Sequence, residues 1–155
     1  LEKLAAQGLL GVAIPEEFGG AGLDAITIAA IYEELGKGCA GVATTVAANA
    51  LASYPVIIAG NDDQKKRYFD IINEDNLAAF ALTEPGTGSD AGSVSTRAMK
   101  TEDGKGYILN GTKCFITNGA VASFYVIPAM TDKSQGVKGM TAFLEKRKEK
   151  HFSGQ

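Results

Sequence analysis

Three groups of residues in this chain have types and spacings that could do chemistry. The first is Leu82-Thr83-Glu84-Pro85-Gly86-Thr87-Gly88-Ser89-Asp90-Ala91-Gly92. Glycines interleaved with hydroxyls can wrap an anion in backbone N–H groups. The spacing is GxGxxxG rather than GxGxxG, and Val94 to Lys100 alternate as a strand where a dinucleotide fingerprint needs a helix. No Gly-Lys-Ser/Thr run makes a Walker loop. An anion cradle and a plain irregular turn are equal readings of this segment. Glu84 is of the right type for a general base. A carboxylate just before Pro85, among N–H and O–H donors, reads better as a structural acceptor that holds the loop, and Asp90 reads the same way. The second group is Phe115 and Thr117. If 112–117 is a strand, these two share one face, and Cys114 and Ile116 share the other. An aromatic plane beside a hydroxyl suits a flat heteroaromatic ring, although the strand taken alone reads as two ordinary surface positions. The third group, metal and acid–base residues, is sparse. The one histidine, His151, lies in the C-terminal stretch. It supports no Ser-His-Asp triad in the body of the chain and no multi-histidine metal site. Cys39 and Cys114 form no CxxC and read as two buried, reduced thiols.

The elements that must position these residues change character near residue 77. Leu1, Leu4, Ala5 and Gly8-Leu9 suit the end of an amphipathic helix closed by glycine. Pro15 and Gly19-Gly20-Ala21-Gly22 form a loop. Asp24 caps a second helix whose apolar positions Ile28, Ile31, Tyr32 and Leu35 fall on one face. Residues 39–59 form an alanine-rich stretch buried on several sides, which Pro55 kinks or splits. Asn61 and Gln64 make a capping box opening a helix with Tyr68, Ile71 and Ile72 inward. Beyond residue 77 the period becomes two. Strands are expected at 94–100, 106–110, 112–117, 122–130 and 139–144, with Asn110-Gly111 as a hairpin turn and Pro128 at an edge or bulge. Helices followed by strands predict an α+β chain. A partial helical domain, 1–76, precedes an antiparallel β-barrel or sandwich domain, 77–145, and a solvated tail, 146–155.

Hydrophobic residues make up 45% and charged residues 21% of the 155, which is enough to build a core. Nineteen glycines exceed the usual share of about 7%, so turns or close backbone approaches are expected. A net charge of −3 argues against a nucleic-acid backbone as partner. No apolar run is read as reaching the roughly 18 residues of a membrane span. Both ends look cut, so the chain reads as a piece of something longer.

Ala81-Leu82-Thr83-Glu84-Pro85-Gly86-Thr87-Gly88-Ser89-Asp90 closely resembles the signature segment of the acyl-CoA dehydrogenases. Phe115-Ile116-Thr117-Asn118-Gly119 resembles the second flavin-contacting segment of the same family. Ile14-Pro15-Glu16-Glu17-Phe18-Gly19-Gly20, Asn49 to Gly60 and Tyr107 to Thr112 match in the same order. The resemblance covers about residues 1–145.

The resemblance implies FAD as cofactor and α,β-dehydrogenation of an acyl-CoA thioester as the reaction. It implies an electron-transferring flavoprotein as electron acceptor and a homotetramer as the assembly. The segment Phe80 to Ser89 would lie along the FAD, with Phe80, Leu82, Thr83, Gly88 and Ser89 as contacts and Ser89 also reaching the CoA. Phe115, Ile116 and Thr117 would pack against the isoalloxazine. Thr44, Ala47 and Leu51 would face the acyl-chain pocket. The family often has tryptophan at the position of Phe115 and tyrosine at that of Phe80, so a ring face is kept and a polar N–H or O–H is lost. The family's catalytic glutamate lies in a C-terminal helical domain. No catalytic residue is therefore expected in this chain, which by itself should be inactive. The resemblance also implies the bacterial cytoplasm, or the mitochondrial matrix in a eukaryote. Other readings are a non-catalytic flavin- or acyl-CoA-binding remnant, a flavin oxidase, or an acyl-CoA reductase.

Overall fold

The computed structural model describes residues 2–74 and 76–131, and the backbone of 140–146. His151 and the expected tail beyond Lys146 lie outside the described residues. Four helices come first: α1 Glu2–Ala5, α2 Ala25–Gly38, α3 Ala40–Ala59 and α4 Asp62–Ile72. Five strands follow: β1 Ala78–Phe80, β2 Arg97–Lys100, β3 Tyr107–Asn110, β4 Phe124–Met130 and β5 Met140–Lys146.

Local chemistry sets the helix ends. The Asp24 carboxylate accepts the Ile26 and Thr27 N–H groups at 2.9 and 3.1 Å and so caps α2. The expected capping box opens α4, with Asn61 and Gln64 bonded reciprocally at 2.9 and 3.0 Å. Pro55 does not split α3, which runs unbroken through it. Ala52 and Val56, on either side of the proline, are both buried in the core, and their packing outweighs a penalty of about 3 kcal/mol. With 20 residues and no charge, α3 is long and apolar enough to cross a membrane by length and composition, contrary to the sequence reading. Its buried polar residues are nonetheless matched to protein. Ser53 donates to the Asn49 carbonyl at 2.8 Å, so the Tyr68 hydroxyl, 2.9 Å away, donates to Ser53.

β4 is the centre of the sheet. β5 runs antiparallel along one edge of it, from Phe124↔Lys146 to Met130↔Met140. On the other edge β1 pairs parallel with residues 124–126, and β2 joins at Arg97↔Met130. β3 pairs antiparallel outside β2. The order of helices before strands is as expected. The sheet, however, is mixed rather than antiparallel, and it is open among the described residues.

The Asn110-Gly111 hairpin and the strand at 112–117 do not form. The hairpin is β2–β3, closed by the 101–106 turn. After Asn110 the chain leaves the sheet. Gly111 is needed for close approach instead, because a Cβ there would lie 2.3–2.7 Å from Thr96 atoms, backbone Cα included. The core spans both halves: Ala52 and Val56 of α3 and Tyr68, Phe69 and Ile72 of α4 pack with Ala78, Phe124 and Val126.

Candidate functional site

Two asparagines fix the helices against the sheet. The Asn49 side chain, 0% exposed, accepts the Ala78 N–H at 2.8 Å. Asn118 donates from Nδ2 to the carbonyls of Ala78, at 3.0 Å, and Thr45, at 3.1 Å. β1 thus has β4 on one side and two side-chain amides on the other. α3, β1 and the 113–119 strap are held together at one residue.

A recess of about 620 Å³ opens where these three meet. Thr44, Ala47 and Leu51 of α3 line one wall, with Tyr32 of α2 and Tyr54. Phe80, Leu82 and Thr83 line the sheet side, and Phe115, Ile116 and Thr117 close it. Residues from three distant segments singled out in the sequence therefore share one cavity. Gly88 and Ser89 are exposed and are not part of this lining. The Thr44 hydroxyl bonds back to the Ala40 carbonyl at 2.8 Å, within its own helix. The Tyr32 hydroxyl is buried without a hydrogen-bond partner among the described residues, and burial raises its pKa.

Phe115 is 94% exposed, and its backbone is left-handed, with φ of 55°. The alternation read from the sequence placed Phe115 and Thr117 outward correctly, but the cause is this backbone conformation and not a strand. A non-glycine residue in that region costs of order 1–3 kcal/mol and persists only where its surroundings impose it. The Cys114 N–H donates to the Thr83 carbonyl at 3.0 Å and ties this strap to the loop after β1. The cysteines are less buried than expected: Cys39 is exposed and Cys114 half-buried.

Glu84 is the anchor of that loop. Its Oε2 accepts the Ser95 N–H and hydroxyl at 2.7 and 2.5 Å. Its Oε1 accepts the Thr96 N–H at 2.9 Å, the Thr96 hydroxyl at 2.5 Å and the Lys113 ammonium at 2.8 Å. Burial pushes the carboxyl up, but the Lys113 ammonium and the Ser95 and Thr96 donors outweigh it and hold the group well below the usual carboxylate range. The structural reading of Glu84 therefore stands. Asp90 accepts the Ser93 hydroxyl. Glu84 and Thr87 exchange backbone hydrogen bonds at 2.9 and 3.0 Å around Pro85-Gly86. A Cβ at Gly86 or Gly88 meets nothing within 4 Å, and neither glycine has a positive φ. The fold does not require these glycines, which leave the loop backbone bare toward solvent.

Sequence reasoning missed Lys113, Asn118 and Tyr54. Lys113 stood in an apparent strand, where a polar residue alternating with apolar ones looks like a solvent-facing position. Nothing in its spacing signals three acceptors brought from elsewhere in the chain.

Comparisons with known proteins agree with this geometry. Residues 1–74 match the family model for the acyl-CoA dehydrogenase N-terminal domain, and residues 79–154 match that for the middle domain. An acyl-CoA dehydrogenase of Bacillus subtilis is 39% identical over 155 residues, which is 99% of this chain and 40% of the relative. The NADH-dependent acryloyl-CoA reductase of Anaerotignum propionicum is 39% identical over 153 residues, 98% of this chain and 39% of the relative. The solved structure of a Bacillus anthracis acyl-CoA dehydrogenase complexed with FAD superposes with a TM-score of 0.83 at 38% identity. That match covers 94% of this chain and 25% of the other. The chain thus spans two fifths or less of the length of these three relatives, and by both family models it belongs to the acyl-CoA dehydrogenase family.

Proposed function

We propose that this chain supplies the flavin-facing wall and part of the acyl pocket of an FAD-dependent acyl-CoA dehydrogenase. The observation that carries the reading is the single recess shared by Thr44, Ala47 and Leu51 with Phe80, Leu82, Thr83 and Phe115 to Thr117. The residues fit the cofactor. An aromatic ring is held out of the core with a hydroxyl two residues on, and the loop that follows Thr83 in the chain has bare glycine backbone. Phe115 offers a face for a flat ring, Thr117 and Thr83 offer hydroxyls, and the apolar surface of α3 offers a lining for an alkyl chain. When bound, the flavin supplies the two-electron acceptor chemistry for removing hydrogen from Cα and Cβ of the thioester. The protein's part is to align the acyl chain along α3 and to keep water off the reacting carbons.

No carboxylate lines the recess among the described residues, and Glu84 is fully engaged elsewhere. On this reading the group that takes the α-proton comes from outside these residues, and no acyl-CoA turnover is expected of the 155-residue chain alone. An electron-transferring flavoprotein is the proposed electron acceptor, in line with the family resemblance. The similarity to an acryloyl-CoA reductase favours a second reading, in which the same site runs the reaction toward the saturated thioester.

The test is FAD titration followed by flavin fluorescence, with Thr117→Val alongside. Saturable FAD binding is expected, weakened roughly two- to ten-fold in the variant by loss of one hydrogen bond of about 0.5–1.5 kcal/mol. Absence of FAD binding refutes the reading.

A further inference from the structure

We propose that Lys113 is a positioning residue for the flavin-facing surface, because its ammonium gathers three oxygens, two from residues 82–84 and one from β4, and so fixes the spacing between residues 82–84 and the 113–117 strap. The inference rests on the FAD reading above.

A lysine ammonium has three donors and no acceptor. All three are used here: toward the Leu82 carbonyl at 3.0 Å, Glu84 Oε1 at 2.8 Å and the Pro128 carbonyl at 2.9 Å. The third acceptor shows why a lysine stands at this place. One edge of β4 is served first by β1, where the Ala81 N–H donates to the Val126 carbonyl at 2.8 Å. It is served again at its end, where the Met130 N–H donates to the Thr96 carbonyl at 2.8 Å. Between these bonds no strand among the described residues pairs with that edge. Pro128 has no N–H to offer, and only its carbonyl needs a partner. Lys113 supplies the missing donor from the side, where a strand would bring an acceptor that nothing could use.

Leu82 lines the recess, and Glu84 begins the turn that follows Thr83. Lys113 itself lies two residues before Phe115. The Lys113 side chain is 12% exposed and that of Glu84 2%, so the pair is shielded from bulk water. With the Cys114–Thr83 backbone bond, the lysine makes a two-point clamp between the segments that carry Thr83 and Phe115. The clamp lies within two residues of Phe115, whose left-handed backbone a residue with a side chain keeps only where its surroundings hold it. Lys113 need not touch the cofactor to govern how the ring of Phe115 and the hydroxyl of Thr117 are presented.

The experiment compares the FAD-loaded protein with Lys113→Met, with the double variant Glu84→Gln/Lys113→Met, and with Tyr68→Phe. The last removes a buried hydrogen bond between two residues that do not line the recess. FAD affinity is read by fluorescence titration, and backbone mobility by amide hydrogen exchange. Both Lys113 variants are expected to bind FAD roughly ten-fold or more weakly and to exchange faster at 82–87 and 113–119. Exchange within α4 stays as in the parent. Tyr68→Phe lowers the unfolding midpoint and changes neither readout at the clamp, which separates positioning from general stability. If Lys113→Met fails to fold, the double variant decides, since it leaves no unpaired buried charge. Parent-like FAD affinity and exchange in the double variant overturn the proposal. If the parent binds no FAD, the proposed function falls, and exchange alone judges the clamp: faster exchange confined to the two segments upholds it, and unchanged exchange overturns it.

Discussion

Glu84→Gln keeps the shape of the side chain and should still be among the most damaging substitutions in this protein. The five donors around Glu84 divide into two sets. Oε2 receives the N–H and hydroxyl of Ser95, and Oε1 receives the N–H and hydroxyl of Thr96 and the ammonium of Lys113. Glutamine has one carbonyl oxygen, so its NH2 must face one set. Facing Thr96 and Lys113, it opposes an ammonium and a backbone N–H. Facing Ser95, it opposes one backbone N–H, and the hydroxyl can turn and accept. The second orientation is the better, and it still strips Lys113 of its counter-charge at a largely buried site. Breaking a buried pair from one side costs about 3–5 kcal/mol, and the unpaired Ser95 N–H overlaps with that figure rather than adding to it. For a domain of this size the loss lowers the thermal midpoint by roughly 6–20 °C. The assay is equilibrium urea unfolding, with the m-value checked for two-state behaviour. A pH series gives a second reading. The folded-state pKa of Glu84 is depressed, so its stabilisation is complete above the ordinary glutamate pKa of about 4.3. It is lost as pH falls from there toward the depressed folded value. The parent should therefore lose stability on acidification that the glutamine variant has already lost. A variant within about 1 kcal/mol of the parent, with the same acid slope, refutes the reasoning. Acyl-CoA turnover by the parent chain that the variant loses with stability intact would make Glu84 a catalytic base and overturn the expected inactivity as well.

Gly111→Ala should destabilise by about 1–3 kcal/mol in urea unfolding, because its Cβ meets the Thr96 backbone and pushes away a donor to Glu84; a neutral result refutes the close-approach account. Asn49→Ala should cost about 2–4 kcal/mol, since it leaves the buried Ala78 N–H unpaired and opens a void between α3 and β1; a cost under about 0.5 kcal/mol would show that this hydrogen bond does not hold the two halves together. Phe115→Ala should leave stability within about 0.5 kcal/mol, because the side chain is exposed. It should weaken FAD binding roughly two- to ten-fold through lost stacking, and equal affinity in a fluorescence titration removes Phe115 from the cofactor wall.

Signals confined to neighbouring residues were legible in the sequence. The Asp24 cap, the Asn61–Gln64 box and the inward Tyr68 and Ile72 follow from side chains bonding or packing within one or two turns, and the structure shows each of them. The segments 80–83 and 115–117 and the α3 positions Thr44, Ala47 and Leu51 were singled out through the family resemblance, and the structure brings them to one recess. Long-range events were not readable. Asn110-Gly111 has the local form of a hairpin turn, yet Gly111 serves a backbone contact with Thr96 that no window of the sequence contains. Pro55 has the local form of a helix breaker, yet core contacts on both sides carry α3 through it. Lys113 looks like an ordinary strand lysine until Leu82, Glu84 and Pro128 are brought around it. By itself the sequence determined the elements with local periods and caps, the family, and the residue types around the recess. Only the tertiary structure decided the mixed sheet, the left-handed backbone at Phe115 and the Glu84–Lys113 anchor, because each depends on groups far apart in the chain whose meeting is set by how the whole fold packs.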